Sequence, residues 1–213
     1  MRCKNMNIAI LDYDIGNVRS IFNCIEKTGG NPILTRDIDM LDQSDGLIVP
    51  GVGAFSYGME KILEYQLEDS IVNYALSGKP LLGICLGMQL LFDESSEFEN
   101  NRGLGIISGK VKKLSQKNNL KTKLPNIGWR PNFFSDKEKL FNTIPAGSDM
   151  YFVHSYVAHP DNLENVISYS NYYGSNFCSA VRKDNVYGCQ FHPEKSGIFG
   201  VKIIENFIYL CKR

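Results

Sequence analysis

The chain of 213 residues holds no apolar run near the roughly 20 residues of a membrane-spanning helix. Met1 to Asn7 lacks the apolar stretch and small-residue cleavage site of a secretory signal, so a soluble, cytoplasmic protein is expected. It has no excess charge of either sign: Lys plus Arg number 23, and Asp plus Glu also number 23. A nucleic-acid-binding surface normally tips that balance towards basic residues, so neither nucleic acid nor a membrane is expected as a partner. The six cysteines form no C-x-x-C pair and fit neither a zinc site nor a dense disulfide framework, and most are expected to be reduced and buried. There is no internal repeat and no low-complexity tract. A chain of this length buries roughly 70% of the surface its unfolded form exposes, enough for a core without covalent staples.

What is present alternates between strand and helix. Asn7 to Asp12 is a short apolar run suited to a buried parallel strand. Gly16 and Asn17 open a helix to about Thr28, with Val18, Ile21, Phe22 and Ile25 at helical spacing, and Gly29 and Gly30 end it. Pro32 to Thr35, Gly46 to Val49 and Leu81 to Ile84 read as strands. Met59 to Ser77 reads as helix in one or two pieces, and Leu86 to Phe92 as helix. Beyond Gly103 the pattern turns to strands at Ile106 to Leu114, Asn126 to Phe134, Met150 to Val153, Val166 to Ser170, Phe177 to Arg182 and Val186 to Gln190. Asp184 and Asn185 suit a hairpin turn between the last two. Lys112 to Lys123 reads as a solvated loop. A final helix from Gly197 to Leu210 places Val201, Ile204, Phe207 and Ile208 on a buried stripe. The expectation is one α/β domain over residues 1–213: a mixed, mostly parallel sheet flanked by helices, with antiparallel strands added late.

The sharpest local signal is Gly83-Ile84-Cys85-Leu86-Gly87, set where an apolar strand meets a helix. Glycines two residues either side of Cys85 permit the tight turn of a nucleophile elbow. The thiol then stands at a helix start, where free N–H groups favour a thiolate, and the Leu86 N–H is aimed at an oxyanion. Taken alone, the motif divides evenly between this reading and a buried cysteine in a tight turn. A thiol nucleophile needs a base, and the chain has three histidines: His154, His159 and His192. His192 lies in Gln190-Phe191-His192-Pro193-Glu194, where Glu194 is placed to orient the imidazole. A lone histidine before proline is more often a loop residue. His159 reads as a surface residue, whereas His154-Ser155-Tyr156 suits a pocket wall. Pro50-Gly51-Val52-Gly53-Ala54-Phe55 follows a strand, and its glycines suit either a backbone donor to developing charge or an ordinary turn. The segment matches neither a P-loop nor a complete dinucleotide fingerprint.

Together these segments resemble the class I, triad-type glutamine amidotransferases, and among them most closely the glutaminase subunits of imidazole glycerol phosphate synthases. The resemblance runs nearly end to end. Its carriers are Asp12-Tyr13 with Gly16-Asn17, Pro50 to Phe55, Gly83 to Phe92 (GICLGMQLLF), Gly128-Trp129, Tyr151 to Tyr156 (YFVHSY) and Gln190 to Gly197 (QFHPEKSG). It implies Cys85 as nucleophile, His192 as base and Glu194 as its orienting partner. It implies an oxyanion hole from the Leu86 N–H and a donor within Gly51-Val52-Gly53, centred on Val52. Gln89 and Glu97 match the positions that hold L-glutamine, with Glu97 on its α-amino group, and Gly51, Gly53, His154 and Ser155 fall in segments that line the same pocket. Trp129, Tyr151 and Lys195 match positions facing a (β/α)₈-barrel cyclase, the partner that receives ammonia in a heterodimer. Neither a metal nor an organic cofactor is implied.

Three positions depart from the family pattern. Family members commonly read H-x-G-W-N where this chain has Asn126-Ile127-Gly128-Trp129-Arg130, and Asp14 stands where glycine is usual. These differences are expected to sit towards the partner and to bear on the acceptor rather than on glutamine hydrolysis. A paralogue that supplies ammonia for surface-sugar amidination is the alternative within the class. A catalytically silent docking subunit is the alternative from another class, and the intact Cys85, His192 and Glu194 argue against it.

Overall fold

The computed structural model describes residues 6–114, 123–135 and 137–212. In chain order the elements are β1 (Asn7–Leu11), α1 (Val18–Lys27), β2 (Asn31–Thr35), α2 (Ile38–Gln43), β3 (Gly46–Val49), α3 (Phe55–Glu64), α4 (Glu68–Leu76), β4 (Leu81–Ile84), α5 (Leu86–Leu90), β5 (Phe92–Ser95), β6 (Asn101–Arg102), β7 (Ile107–Lys113), β8 (Asn126–Phe134), β9 (Ser148–His154), β10 (Tyr156–Pro160), β11 (Val166–Tyr172), β12 (Ser175–Lys183), β13 (Val186–Cys189) and α6 (Gly197–Leu210).

A nine-stranded sheet runs in the order β2-β1-β3-β4-β13-β12-β11-β8-β9. Its first five strands pair in parallel and the rest antiparallel, so parallel and antiparallel pairings are equal in number. The late antiparallel strands of the sequence reading are β12, β11, β8 and β9. A second sheet, β10-β7-β5-β6, is one that the sequence pattern does not reveal.

The inner parallel strands are buried along their length because both faces are covered: β3, β4 and β13 throughout, and β1 beyond Asn7, whereas the edge strand β2 is partly exposed. Ile8 and Ile10 of β1, Ile48 of β3, and Leu82 and Ile84 of β4 face a core shared with α1 and α6. Their neighbours Ala9, Leu11, Leu47, Val49 and Leu81 face a second core shared with α3, α4 and α5. The period-2 alternation of side chains thus feeds two cores from one layer, and a one-residue slip would exchange them. The two-residue turn at Asp184 and Asn185 joins β12 to β13, with Asp184 at φ 54°.

Some elements differ from the sequence reading. The helix expected from Leu86 to Phe92 ends at Leu90, and Phe92 opens a strand. Leu90, Leu91 and Phe92 are all fully buried, so periodicity carries no sign of the change. The Met59–Ser77 helix begins earlier, at Phe55, and is split near Gln66, whose φ of 55° interrupts the α conformation. On α6 the buried stripe runs through Gly200, Ile203, Ile204 and Phe207, and Val201 is exposed. Lys112 and Lys113 belong to β7 rather than to a loop, and residues 115–122 of that expected loop lie outside the described residues. Among the described residues no helix is long and apolar enough to cross a membrane.

Candidate active site

Strands β3, β4 and β13 are adjacent and parallel, with Val49 opposite Gly83 and Cys189 opposite Ile84. Their carboxyl ends therefore release three loops at one edge: Pro50–Gly53 after β3, Cys85 after β4, and Gln190–Glu194 after β13. Sheets of this kind place ligands at the carboxyl ends of their strands.

Cys85 has φ 54° and ψ −107°, a conformation that side-chain-bearing residues rarely adopt. The turn closes because its glycines have no side chains. A Cβ on Gly87 would lie 1.9 Å from the Val49 carbonyl oxygen, and one on Gly83 would lie 2.7 Å from the Gly87 backbone. The Cys85 N–H donates to the Cys189 carbonyl at 2.8 Å, tying the elbow to β13. The helix that follows has only five residues, so its dipole adds little at the thiol.

Behind Cys85, the side chains of His192 and Glu194 are 2% and 1% exposed. His192 Nδ1 is 2.8 Å from Glu194 Oε1. With Nδ1–H donated to the carboxylate, the lone pair or proton of Nε2 is left for Cys85. Burial opposes charge on the ring, but interaction with Cys85 and with Glu194 outweighs it and raises the His192 pKa. The backbone of His192 is also tied to β9. The His192 N–H donates to the Tyr151 carbonyl at 2.9 Å, the Tyr151 N–H to Ser196 Oγ at 2.9 Å, and Ser196 Oγ to the His192 carbonyl at 2.6 Å.

A cavity of about 270 Å³ opens in front of the thiol. Val52, Gly53, Cys85, Leu86, Gln89, Glu97, His154 and Ser155 all line it, so eight residues expected from sequence at one site do converge. Val153 and Tyr156, from the same YFVHSY segment, and Pro125, which no sequence motif marks, complete the wall. Glu97 Oε2 accepts from the Phe55 N–H at 2.8 Å, at the start of α3. Gly51 lies behind the wall, where a Cβ would be 2.8 Å from Leu86 Cβ and 2.9 Å from the Gly87 nitrogen. Its carbonyl accepts from the Leu86 N–H at 3.3 Å, so the expected oxyanion donor is engaged within the loop.

Two groups to which the sequence assigns no role hold these parts. Tyr13, fully buried, donates its hydroxyl to the Pro50 carbonyl and so anchors the loop just before Gly51. Burial, then the nearby Cys85, pushes its phenol pKa up. Asn126, expected to face outwards, is instead fully buried, and its Nδ2 is 3.0 Å from His154 Nε2. His154 Nδ1 is 3.0 Å from the Tyr156 carbonyl, an acceptor only, which assigns the proton to Nδ1 and leaves Nε2 to accept from Asn126. Burial pushes the His154 pKa down to about 4, so the ring is neutral. The Asp14 position has φ 63°, the left-handed region that favours glycine, and its carboxylate pairs with Arg36 at 2.9 Å and accepts from the Tyr65 hydroxyl. Trp129, half exposed, stands edge-on to Tyr151 with ring centroids 5.9 Å apart, and Lys195 is exposed close by in sequence to His192.

Comparison with known proteins agrees with this geometry. The family model described as glutamine amidotransferase class-I matches residues 9–211. The imidazole glycerol phosphate synthase subunit HisH 2 of Methanococcus maripaludis is 46% identical over 202 residues, covering 94% of this chain and 98% of that protein. The corresponding HisH subunit of Sulfurimonas denitrificans is 44% identical over 201 residues, covering 94% of this chain and 96% of that protein. Among solved structures, PurLQS from Thermotoga maritima superposes with a TM-score of 0.72 at 21% identity, covering 97% of this chain and 99% of that one. The glutaminase domain of Trypanosoma brucei CTPS superposes with a TM-score of 0.69 at 15% identity, covering 97% of this chain and 94% of that one. At those identities the two structures speak to the fold alone. The family match and the curated relatives place this chain in the class I glutamine amidotransferases, a family of glutamine-hydrolysing enzymes.

Proposed function

We propose that the chain is the glutaminase subunit of an imidazole glycerol phosphate synthase, and that it passes ammonia to a (β/α)₈-barrel cyclase with which it forms a heterodimer. The observation that carries the chemistry is the strained Cys85 backed by the buried His192–Glu194 pair and fronted by the cavity. The 46% and 44% identical relatives, both named as subunits of that synthase, support the choice of acceptor.

In this reading the Cys85 sulfur attacks the carboxamide carbon of L-glutamine. His192 holds the thiol proton and delivers it to the departing nitrogen, which leaves as ammonia and a γ-glutamyl thioester. Water then attacks the thioester, His192 takes its proton, and glutamate departs as the thiol is restored. Glu194 keeps Nδ1 protonated and the ring in place. Gln89, Glu97, Gly53, His154 and Ser155 hold the substrate, with the Glu97 carboxylate facing its α-amino group. Leu86 and Val52 supply the oxyanion donors once the loop permits it. Trp129, Tyr151 and Lys195 face the cyclase. The Tyr151 carbonyl holds the His192 N–H, so a partner seated there is one residue removed from the base.

The test replaces Cys85 with Ala or Ser in the assembled synthase. Glutamine-dependent synthesis is expected to vanish while excess ammonium still supports it. Substantial glutamate release by the Cys85→Ala protein would refute the assignment.

A further inference from the structure

Gln190 follows β13, and its side chain is fully buried against the elbow. Its Nε2 donates to Cys85 Sγ at 3.7 Å, and its Oε1 accepts from Gln89 Nε2 at 2.9 Å. Gln89 Nε2 also donates to the Tyr156 carbonyl at 3.0 Å.

These three bonds allow one direction only. A backbone carbonyl can only accept, so the Gln89 group facing Tyr156 is its amide nitrogen. That nitrogen is also the one that meets Gln190, which must therefore present oxygen to Gln89 and nitrogen to the sulfur. A flipped Gln190 amide would set two NH₂ groups against each other and a carbonyl oxygen against Sγ. The polarity of the contact with Cys85 is thus fixed from the backbone of β10, through Gln89.

An N–H donor tells thiol from thiolate. A neutral thiol is a weak acceptor, whereas a hydrogen bond to an ionised partner is roughly twice as strong as a neutral one. Resting on the reading of Cys85 as nucleophile, we propose that Gln190 is a fixed donor that holds the Cys85 sulfur as thiolate, and that Gln89, besides lining the cavity, sets the direction of that donor.

The test uses the full chain. Alkylation of Cys85 by iodoacetamide is followed across pH and located by peptide mass mapping, with Cys85→Ser as the blank. Gln190→Met keeps the volume and removes the donor, while Gln190→Glu keeps an acceptor for Gln89 and sets negative charge beside the sulfur. At pH 7 alkylation is expected to slow by about tenfold in Gln190→Met and further in Gln190→Glu. The deficit is expected to close towards high pH, where the thiolate forms without help. The kcat for glutamine is expected to fall by a similar factor with KM little changed, since Gln190 does not line the cavity. A deficit constant across pH, or none, would overturn the proposal. Should both variants fail to fold, the wild-type Gln190 side-chain amide resonances give the answer. They should move with pH in step with Cys85 alkylation and stay still in Cys85→Ser, and resonances alike in both proteins would overturn it. A wild-type chain that releases no glutamate even with the cyclase and an acceptor analogue bound, yet loses Cys85 alkylation in Gln190→Met, would count against the amidotransferase chemistry and for the donor.

Discussion

The backbone N–H of Leu86 donates to the carbonyl of Gly51 at 3.3 Å. The peptide between Gly51 and Val52 is planar and trans, so a carbonyl turned towards Leu86 puts the Val52 N–H on the opposite side. Both proposed oxyanion donors are therefore withheld: one is occupied and the other faces away. Tyr13 holds the preceding Pro50 carbonyl, and Gly51 is wedged against Leu86 and Gly87. Beyond it Val52 is 40% exposed, and Gly53 has open space around its Cα. Rotation of the single Gly51–Val52 peptide would free the Leu86 N–H and turn the Val52 N–H inwards.

Low activity of the isolated chain follows. One missing oxyanion donor costs roughly 10²–10³ in rate in other enzymes. Glutamate release is expected to be weak for the chain alone and to rise by at least that factor with the cyclase and an acceptor analogue bound. The partner must bind the rotated state more tightly to shift the balance. Full activity of the chain alone would refute the gate.

His192 and Glu194 are expected to be unequal in weight. His192→Ala removes the proposed proton carrier and is expected to cost on the order of 10⁴ in kcat, as in other triads. Glu194→Gln leaves a side chain that still reaches Nδ1 and should cost less. Steady-state glutamine hydrolysis on both variants decides it. Small, equal losses would move the base elsewhere, and the neutral His154, held between Asn126 and Tyr156, is poorly placed to take over.

Two glycines near the thiol are expected to answer alanine differently. On Gly87 a Cβ would fall 1.9 Å from the Val49 carbonyl oxygen, so β3 or the elbow must shift, a distortion of about 1–3 kcal/mol or more. On Gly53 nothing lies within 4 Å, and only the φ of 100° is unfavourable, at about 1–2 kcal/mol. Urea midpoints should therefore place Gly87→Ala below Gly53→Ala. The reverse order would mean that the elbow is looser than its contacts imply.

The parts of this site visible in the sequence are those whose chemistry demands a residue type. Gly83 and Gly87 announce the elbow because no side chain fits there. His192 and Glu194 stand out because the chain has few histidines and one strand delivers them. The inner parallel strands are legible because burial on both faces makes them nearly continuous apolar runs. The direction of the Gly51 carbonyl is not legible, since glycines accept either peptide orientation. The Gln190 contact and the Asn126–His154 pair are equally hidden, because they join residues far apart in sequence through polar atoms that leave no periodicity. The strands β5, β6 and β10 escape for another reason. β6 has two residues, β5 follows directly on a buried helix, and β10 begins two residues after β9 ends.

His154 gives the fold an acid-sensitive point. Burial pushes its pKa from the ordinary 6.5 down to about 4, the neighbouring His192 acts in the same direction, and the bond to the Tyr156 carbonyl offsets them only in part. Between those values the unfolded chain binds a proton at this position and the folded chain does not. Its contribution is therefore complete above pH 6.5 and is lost as the pH falls towards 4, a change of about 3 kcal/mol. His192 has the opposite sign: its raised pKa contributes fully below 6.5 and is lost only as the pH climbs through the folded value. It adds no slope in the acid window. Replacing His154 with Gln keeps an acceptor for Asn126 and a donor for Tyr156 but removes the titration. The variant is expected to be somewhat less stable than wild type at pH 7 and to lose about 2–3 kcal/mol less between pH 6.5 and 4.5. Urea unfolding at the two pH values measures both terms, and identical acid losses in the two proteins would show that His154 accepts its proton without opening the fold.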